Sequence, residues 1–162
     1  MGARAEALAA RIEQGAAQLA SYAERLSEAE WKTPIAAERD GRTLNVVVHH
    51  VASVYPIEVQ LAQAVGSGKD MSDVTWDVVK NMNAGHATEN ASVSKADALA
   101  LLRKNSSEAA AAIRQMTDEQ LDTAAPFGLS FNAPVTAQFV IEDHALRHSW
   151  HHLARIKETL GT

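Results

Sequence analysis

"TLNVVVHHVASVYPIEVQLAQAV" (Thr43–Val65) is the stretch on which the fold turns. Its apolar residues recur at three- and four-residue spacing, the period of a helix with one buried face. On a wheel at ~100° per residue with His50 at zero, Val46, Val47, Val54, Ile57 and Leu61 fall within about 60° of it. An imidazole thus sits in the middle of the apolar stripe and is expected to face inward. His49, ~100° round, lies outside the stripe.

The same reading applies near the other end, where "DHALRHSWHH" (Asp143–His152) carries four of the seven histidines. Histidine has only middling helix propensity, so a helix gains nothing by collecting it. With His148 at zero, Ile141 falls near 20°, His152 near 40°, Ala145 near 60° and Ile156 near 80° on a wheel of ~100° per residue. His148 and His152 therefore share one inward edge. His144 lies ~40° on the far side of His148, just outside the arc, and His151, near 300°, is expected to meet water. His49 and His151 adjoin these positions and are expected to be mutable with little loss.

An i, i+4 pair lets one helix offer two imidazoles to one metal ion. A third ligand must come from elsewhere, and His50 is the natural supplier. One histidine on an apolar face is more often a hydrogen-bonded core residue than a ligand. Three are different, because each unpaired buried polar group costs on the order of 1–3 kcal/mol, whereas a divalent cation satisfies one nitrogen of each.

Working outward, apolar spacing stays helical and no strand is expected. The first helix should cover about Ala3 to Leu26, with Leu8, Ile12, Leu19, Tyr22 and Leu26 on one side, and Ser27 should cap a short turn leading to Trp31. "KTPIAAERDGR" (Lys32–Arg42) reads as a loop before the helix from Thr43, and "GSGKD" (Gly66–Asp70) breaks that helix. A shorter helix from Asp73 or Val74 to about Ala91 follows, then one from Lys95 to about Met116 behind a Ser94/Asp97 capping signal. "TDEQLD" is one more turn, "TAAPFGLSFNAP" (Thr123–Pro134) is irregular, and a last helix runs from about Val135 to Leu160, ended by Gly161. The expected architecture is all-α: one domain over residues 1–162, an antiparallel four-helix bundle with an additional shorter helix.

On the shorter helix Trp76, Val79, Asn83 and His86 recur at 3–4 spacing, so Asn83 and His86 are candidates to line a pocket beside the metal. Glu58, ~80° from His50, is a candidate carboxylate to hold a ligand imidazole from behind. His144 is a further pocket candidate. Trp150, almost opposite His148, reads as packing or a subunit contact.

Composition bounds the partners. A net charge of -5 with scattered lysines and arginines argues against nucleic acid. No apolar run approaches the roughly 20 residues of a membrane span, and the N-terminal stretch lacks a signal-peptide core, so a cytoplasmic protein is expected. With no cysteine there is no disulfide, thiolate nucleophile or Cys-based zinc site, and any metal must be held by nitrogen and oxygen.

"GRTLNVVVHHVASVY" (Gly41–Tyr55) and "RHSWHHLARI" (Arg147–Ile156), about ninety residues apart, resemble the two motifs of DinB-like (YfiT-type) metal-dependent proteins. The resemblance implies a four-helix bundle in which His50, His148 and His152 bind a divalent metal and leave coordination positions open; neutral imidazoles suit zinc, nickel, iron and copper, and zinc or nickel is expected. It also implies a homodimer and a low-molecular-weight thiol as cosubstrate. The related mycothiol-dependent maleylpyruvate isomerases carry a glutamate in place of one histidine, a pattern this sequence does not follow. The expected function is a metalloenzyme acting on a small molecule the sequence does not identify, by thiol-dependent S-transfer or isomerisation or by hydrolysis with metal-activated water. The alternative is a non-catalytic, metal-stabilised bundle serving as a stress-response binding or dimerisation module. A cavity opening onto the ion would favour the enzyme, and a sealed ion the structural role.

Overall fold

The structure is a computed structural model that describes residues 2–36 and 41–162. The middle of the expected loop at Lys32–Arg42, residues 37–40, lies outside the described residues. The first helix, α1 (Ala3–Glu24), buries Leu8, Ile12 and Leu19 along one side. Ser27 then caps the short α2 (Glu28–Trp31), its hydroxyl accepting from the Glu30 N–H while the Glu30 carboxylate accepts from the Ser27 N–H. Helix α3 (Leu44–Gly66) follows Thr43, and the shorter α4 (Trp76–Glu89) lies in the connection to α5 (Lys95–Arg114). Ser94 starts α5 by accepting from the Asp97 N–H, and Thr117 and Gln120 cap α6 (Asp118–Asp122) reciprocally.

The directions of the four long helices follow from which residues meet. Arg114 pairs with Glu6 and Glu13, while Arg103 reaches Glu24, so α5 runs antiparallel to α1. Asn45 donates to the Ala91 carbonyl and Asn105 to that of Ala52, so α3 and α5 run parallel. Tyr55 meets Ser149 and Glu58 meets His148, so α3 is antiparallel to the last helix, α8 (Arg147–Leu160). Arg11 reaches Glu142 and Tyr22 meets Thr162, so the last helix runs parallel to α1. The expected all-antiparallel bundle is thus corrected: two of the neighbouring pairs are parallel. The reason is the connection over residues 67–94, long enough to carry the chain back to the end where α3 began.

Pro56 lies inside α3 and has no N–H for the carbonyl of Ala52, four residues back. The Asn105 side chain supplies the missing donor at 2.8 Å from within the core.

The stretch read as irregular is a small antiparallel hairpin, β1 (Ala124–Phe127) with β2 (Ala133–Thr136). Its prolines do not forbid it, because Pro126 and Pro134 stand opposite each other and the Pro126 carbonyl turns outward to accept from the Met71 N–H at 2.9 Å. The chain leading into α4 is thereby stitched to the hairpin. Gly128 permits this closeness, since a Cβ there would stand 2.3 Å from the Val74 carbonyl oxygen.

The last helix is also not uniform. It comprises α7 (Ala137–Val140), a π-helical segment at Ile141–Leu146, and α8, closed by Gly161 in the left-handed conformation. Such wide turns recur at functional sites, and this one directly precedes His148. Among the described residues no helix is long and apolar enough to cross a membrane.

Candidate metal centre

Helix α3 brings His50 to the centre of its buried face, and α8 brings His148 and His152 one above the other. Their rings converge: His50 lies 5.0 Å from His148 and 5.7 Å from His152 between centroids, and His148 lies 4.9 Å from His152. One ring nitrogen of each falls within 4.8 Å of the others, a grouping able to hold a metal ion. Tyr55 and Ser149, hydrogen-bonded at 2.6 Å in the core, pin the two helices beside these rings.

Glu58 stands behind His148, its Oε1 2.5 Å from Nδ1. A carboxylate can only accept, so Nδ1 carries the proton and Nε2 presents its lone pair to the other two rings. The second oxygen of Glu58 is buried with no hydrogen-bond partner.

Burial keeps the neighbouring imidazoles neutral. His50 is pushed down to about 2, first by desolvation and then by the charges His148, Arg42, His86 and His49 would carry beside it. His152 lies well below its ordinary value for the same leading reason, and His144 is lowered chiefly by desolvation. His50 Nδ1 is buried with no hydrogen-bond partner. Buried neutral imidazoles with a nitrogen left over suit a divalent ion of borderline softness, and the donor set therefore fits the group the sequence implied.

The remaining candidates surround this cluster. A cavity of about 450 Å³ opens onto it, lined among others by Glu58, Asn83, His144, His50, His148 and His152. The Asn83 Oδ1 is buried there without a hydrogen-bond partner. His86 packs edge-on against His50 at 5.6 Å, and its Nε2 lies 2.8 Å from His49 Nδ1. His49 therefore ties α3 to α4 and is no bystander. His151, expected in solvent, is half-buried and lines the cavity. A wheel angle of 300° is only ~60° from His148, on the far side where His144 also lies. Sequence reasoning missed Arg42, Arg147 and Arg155, which line the same cavity. Arg155 could have been found from its place three residues after His152, whereas Arg42 sits ahead of α3, where no periodicity marks it.

The sequence matches the DinB superfamily over residues 11–156. No curated protein matches the chain in a sequence comparison. In structure it resembles YfiT from Bacillus subtilis with a TM-score of 0.72 at 17% identity, over 99% of this chain and 87% of that one. YfiT is described as a probable metal-dependent hydrolase with an unusual four-helix bundle topology. The mycothiol-dependent maleylpyruvate isomerase matches with a TM-score of 0.69 at 15% identity, over 94% of this chain. The match spans 60% of the length of that isomerase. At these identities the likeness speaks for the fold.

Proposed function

The chain belongs to the DinB superfamily, and from that premise we propose that it is a metalloenzyme acting on a small molecule at His50, His148 and His152. The observation that carries the reading is the cavity of about 450 Å³ opening onto the three rings, which a purely structural site would lack. YfiT, with its description as a probable metal-dependent hydrolase, adds support.

The three imidazoles would hold zinc or nickel, and such an ion supplies Lewis-acid polarisation and a lowered pKa for water or for a low-molecular-weight thiol. The chain's own residues do the rest. Glu58 holds the His148 tautomer and makes its Nε2 a better donor. The Tyr55–Ser149 bond fixes the register of α3 against α8, and therefore the spacing of the rings. Val54, Leu61 and Leu129 exclude water from the wall beside them. A homodimer in the cytoplasm belongs to the same reading, and sedimentation equilibrium checks the dimer.

Metal analysis of the purified protein tests the centre. One divalent ion per chain is expected in the unaltered protein, and little or none in His50→Ala and His148→Ala. Stoichiometric metal in both variants would overturn the reading.

A further inference from the structure

The cavity above the three histidines has a lining of two kinds. One is apolar: Val54 and Leu61 from α3, Val79 from α4, and Leu129 beside the hairpin. At the mouth Trp76 and Met82 are left 46% and 38% exposed, and the Trp76 indole N–H is anchored on the Leu129 carbonyl at 3.0 Å. Large apolar side chains at the rim of a cavity mark where an apolar body enters.

The lining also carries Arg42 and Arg155, with Arg147 about two turns back along α8. Among the described residues the acidic ones lining the cavity are Glu58, committed to His148, and Asp143, whose carboxylate pairs with Arg147 at 3.3 Å. Among the described lining residues three arginines stand against two carboxylates, in a chain whose net charge is -5. The charge of Arg42 reaches His50, His86 and His152, lowering the affinity of each for a proton. Arg42 lines the same cavity as His50 and His152, where the head of an anionic ligand would meet its charge. Both Arg42 and Arg155 make interactions within the chain as well, so a ligand anion would share them.

We propose that this cavity binds an organic anion with an apolar body, its head at the arginines beside the histidines with Arg42 as principal partner, and its tail along α3 and α4. The proposal rests on the reading of the three histidines as a metal centre, and it names the class of molecule which that centre serves. A carboxylate, a thiolate or a phosphate ester would offer the same chemistry to Arg42, and the probes below use the carboxylate.

Octanoate, octanol, octylamine and acetate, titrated calorimetrically into the metal-loaded protein and into the metal-free protein, separate the contributions. Octanoate is expected to bind at least about tenfold more tightly than octanol, octylamine or acetate, because only it satisfies both kinds of lining. Arg42→Gln should weaken octanoate by about tenfold while leaving metal content and octanol affinity unchanged, and Arg42→Lys should keep most of the preference. If Arg42→Gln does not fold, Arg155→Gln is the second variant, with a smaller loss expected. Octanol or octylamine binding as tightly as octanoate, or an unaltered preference in Arg42→Gln, would overturn the proposal. Metal content on the same samples keeps the two readings apart. A protein that binds metal but shows no anion preference loses only this inference, and one that binds no metal yet keeps an Arg42-dependent preference loses only the metalloenzyme.

Discussion

The contact of α1 with α5 and that of α3 with α8 are built from the same kind of helix to opposite ends. Between α1 and α5 the interior holds Leu8, Ile12, Leu19, Leu102 and Ile113, none more than 1% exposed, and the charges pair on the outside. Between α3 and α8 it is the polar groups that go inward: His50, Glu58, Ser149 and His152, none more than 6% exposed. Burying apolar surface stabilises at roughly 25 cal/mol per Å², whereas burying polar groups costs free energy unless each finds a partner. The first contact therefore supplies stability, and the second spends part of it on holding nitrogens where an ion can reach them.

That contrast can be broken by two substitutions measured together. Leu102→Ala should lower unfolding free energy by about 2–5 kcal/mol in urea melts, with one ion per chain still bound. His50→Leu should leave the stability of the metal-free protein unchanged or higher, because it removes a buried ring nitrogen that has no hydrogen-bond partner, while metal binding is lost. Equal destabilisation by both would erase the distinction.

Acid should expose the same division. In the unfolded chain a histidine takes up a proton near its ordinary value of about 6.5. In the fold, desolvation first and neighbouring charges second push His86 down to about 4 and hold His152 well below 6.5. The unfolded state then binds more protons, so stability is fully present above about pH 6.5 and declines as pH falls through the window down to the folded values. Thermal melts of the metal-free protein from pH 7.5 to 4.5 should show that decline, and His50→Leu should flatten it. A melting temperature independent of pH in this range would mean that the rings are not buried as the structure has them.

A smaller effect separates ligand from support. Glu58→Gln keeps an oxygen that can accept from His148 Nδ1–H but removes the charge, and should weaken metal binding by about 10–100-fold in chelator competition. Its thermal stability without metal should hardly change. An unaltered metal affinity would reduce Glu58 to a spectator.

The α3–α8 contact was readable in the sequence because burial is periodic. His50 stands amid valines at helical spacing, and His148 and His152 share an edge four residues apart. The helix starts at Ser27, Ser94 and Thr117 were readable as well, since a hydroxyl ahead of the first turn answers a local need of the backbone. What stayed hidden has no local signature. Apolar spacing is the same whichever way a helix runs, so the parallel pairing of α3 with α5 could not be seen. The wide turns at Ile141–Leu146 follow a hydrogen-bond pattern that no residue there announces. Pro126 and Pro134 ruled out regular helix there, and only their placement opposite each other shows how a hairpin accommodates them. Arg42 joins the cavity through tertiary packing alone.

The least sensitive place should be the outside of the α1–α5 contact. Arg103 reaches Glu24 across the two helices, and both side chains are about half exposed. Water and salt screen such a pair, and holding two long side chains in one geometry costs rotamer entropy, so exposed pairs contribute about 0–1 kcal/mol. Arg103→Gln should therefore shift the urea midpoint by less than any change above and leave metal content unaltered. The substitution also keeps two of the three methylenes that cover the helix surface, so that the main change is in charge. A loss as large as that of Leu102→Ala would show that this face is held by its ion pairs, and the contrast between an apolar half that stabilises and a polar half that binds would have to be redrawn with charge on both sides.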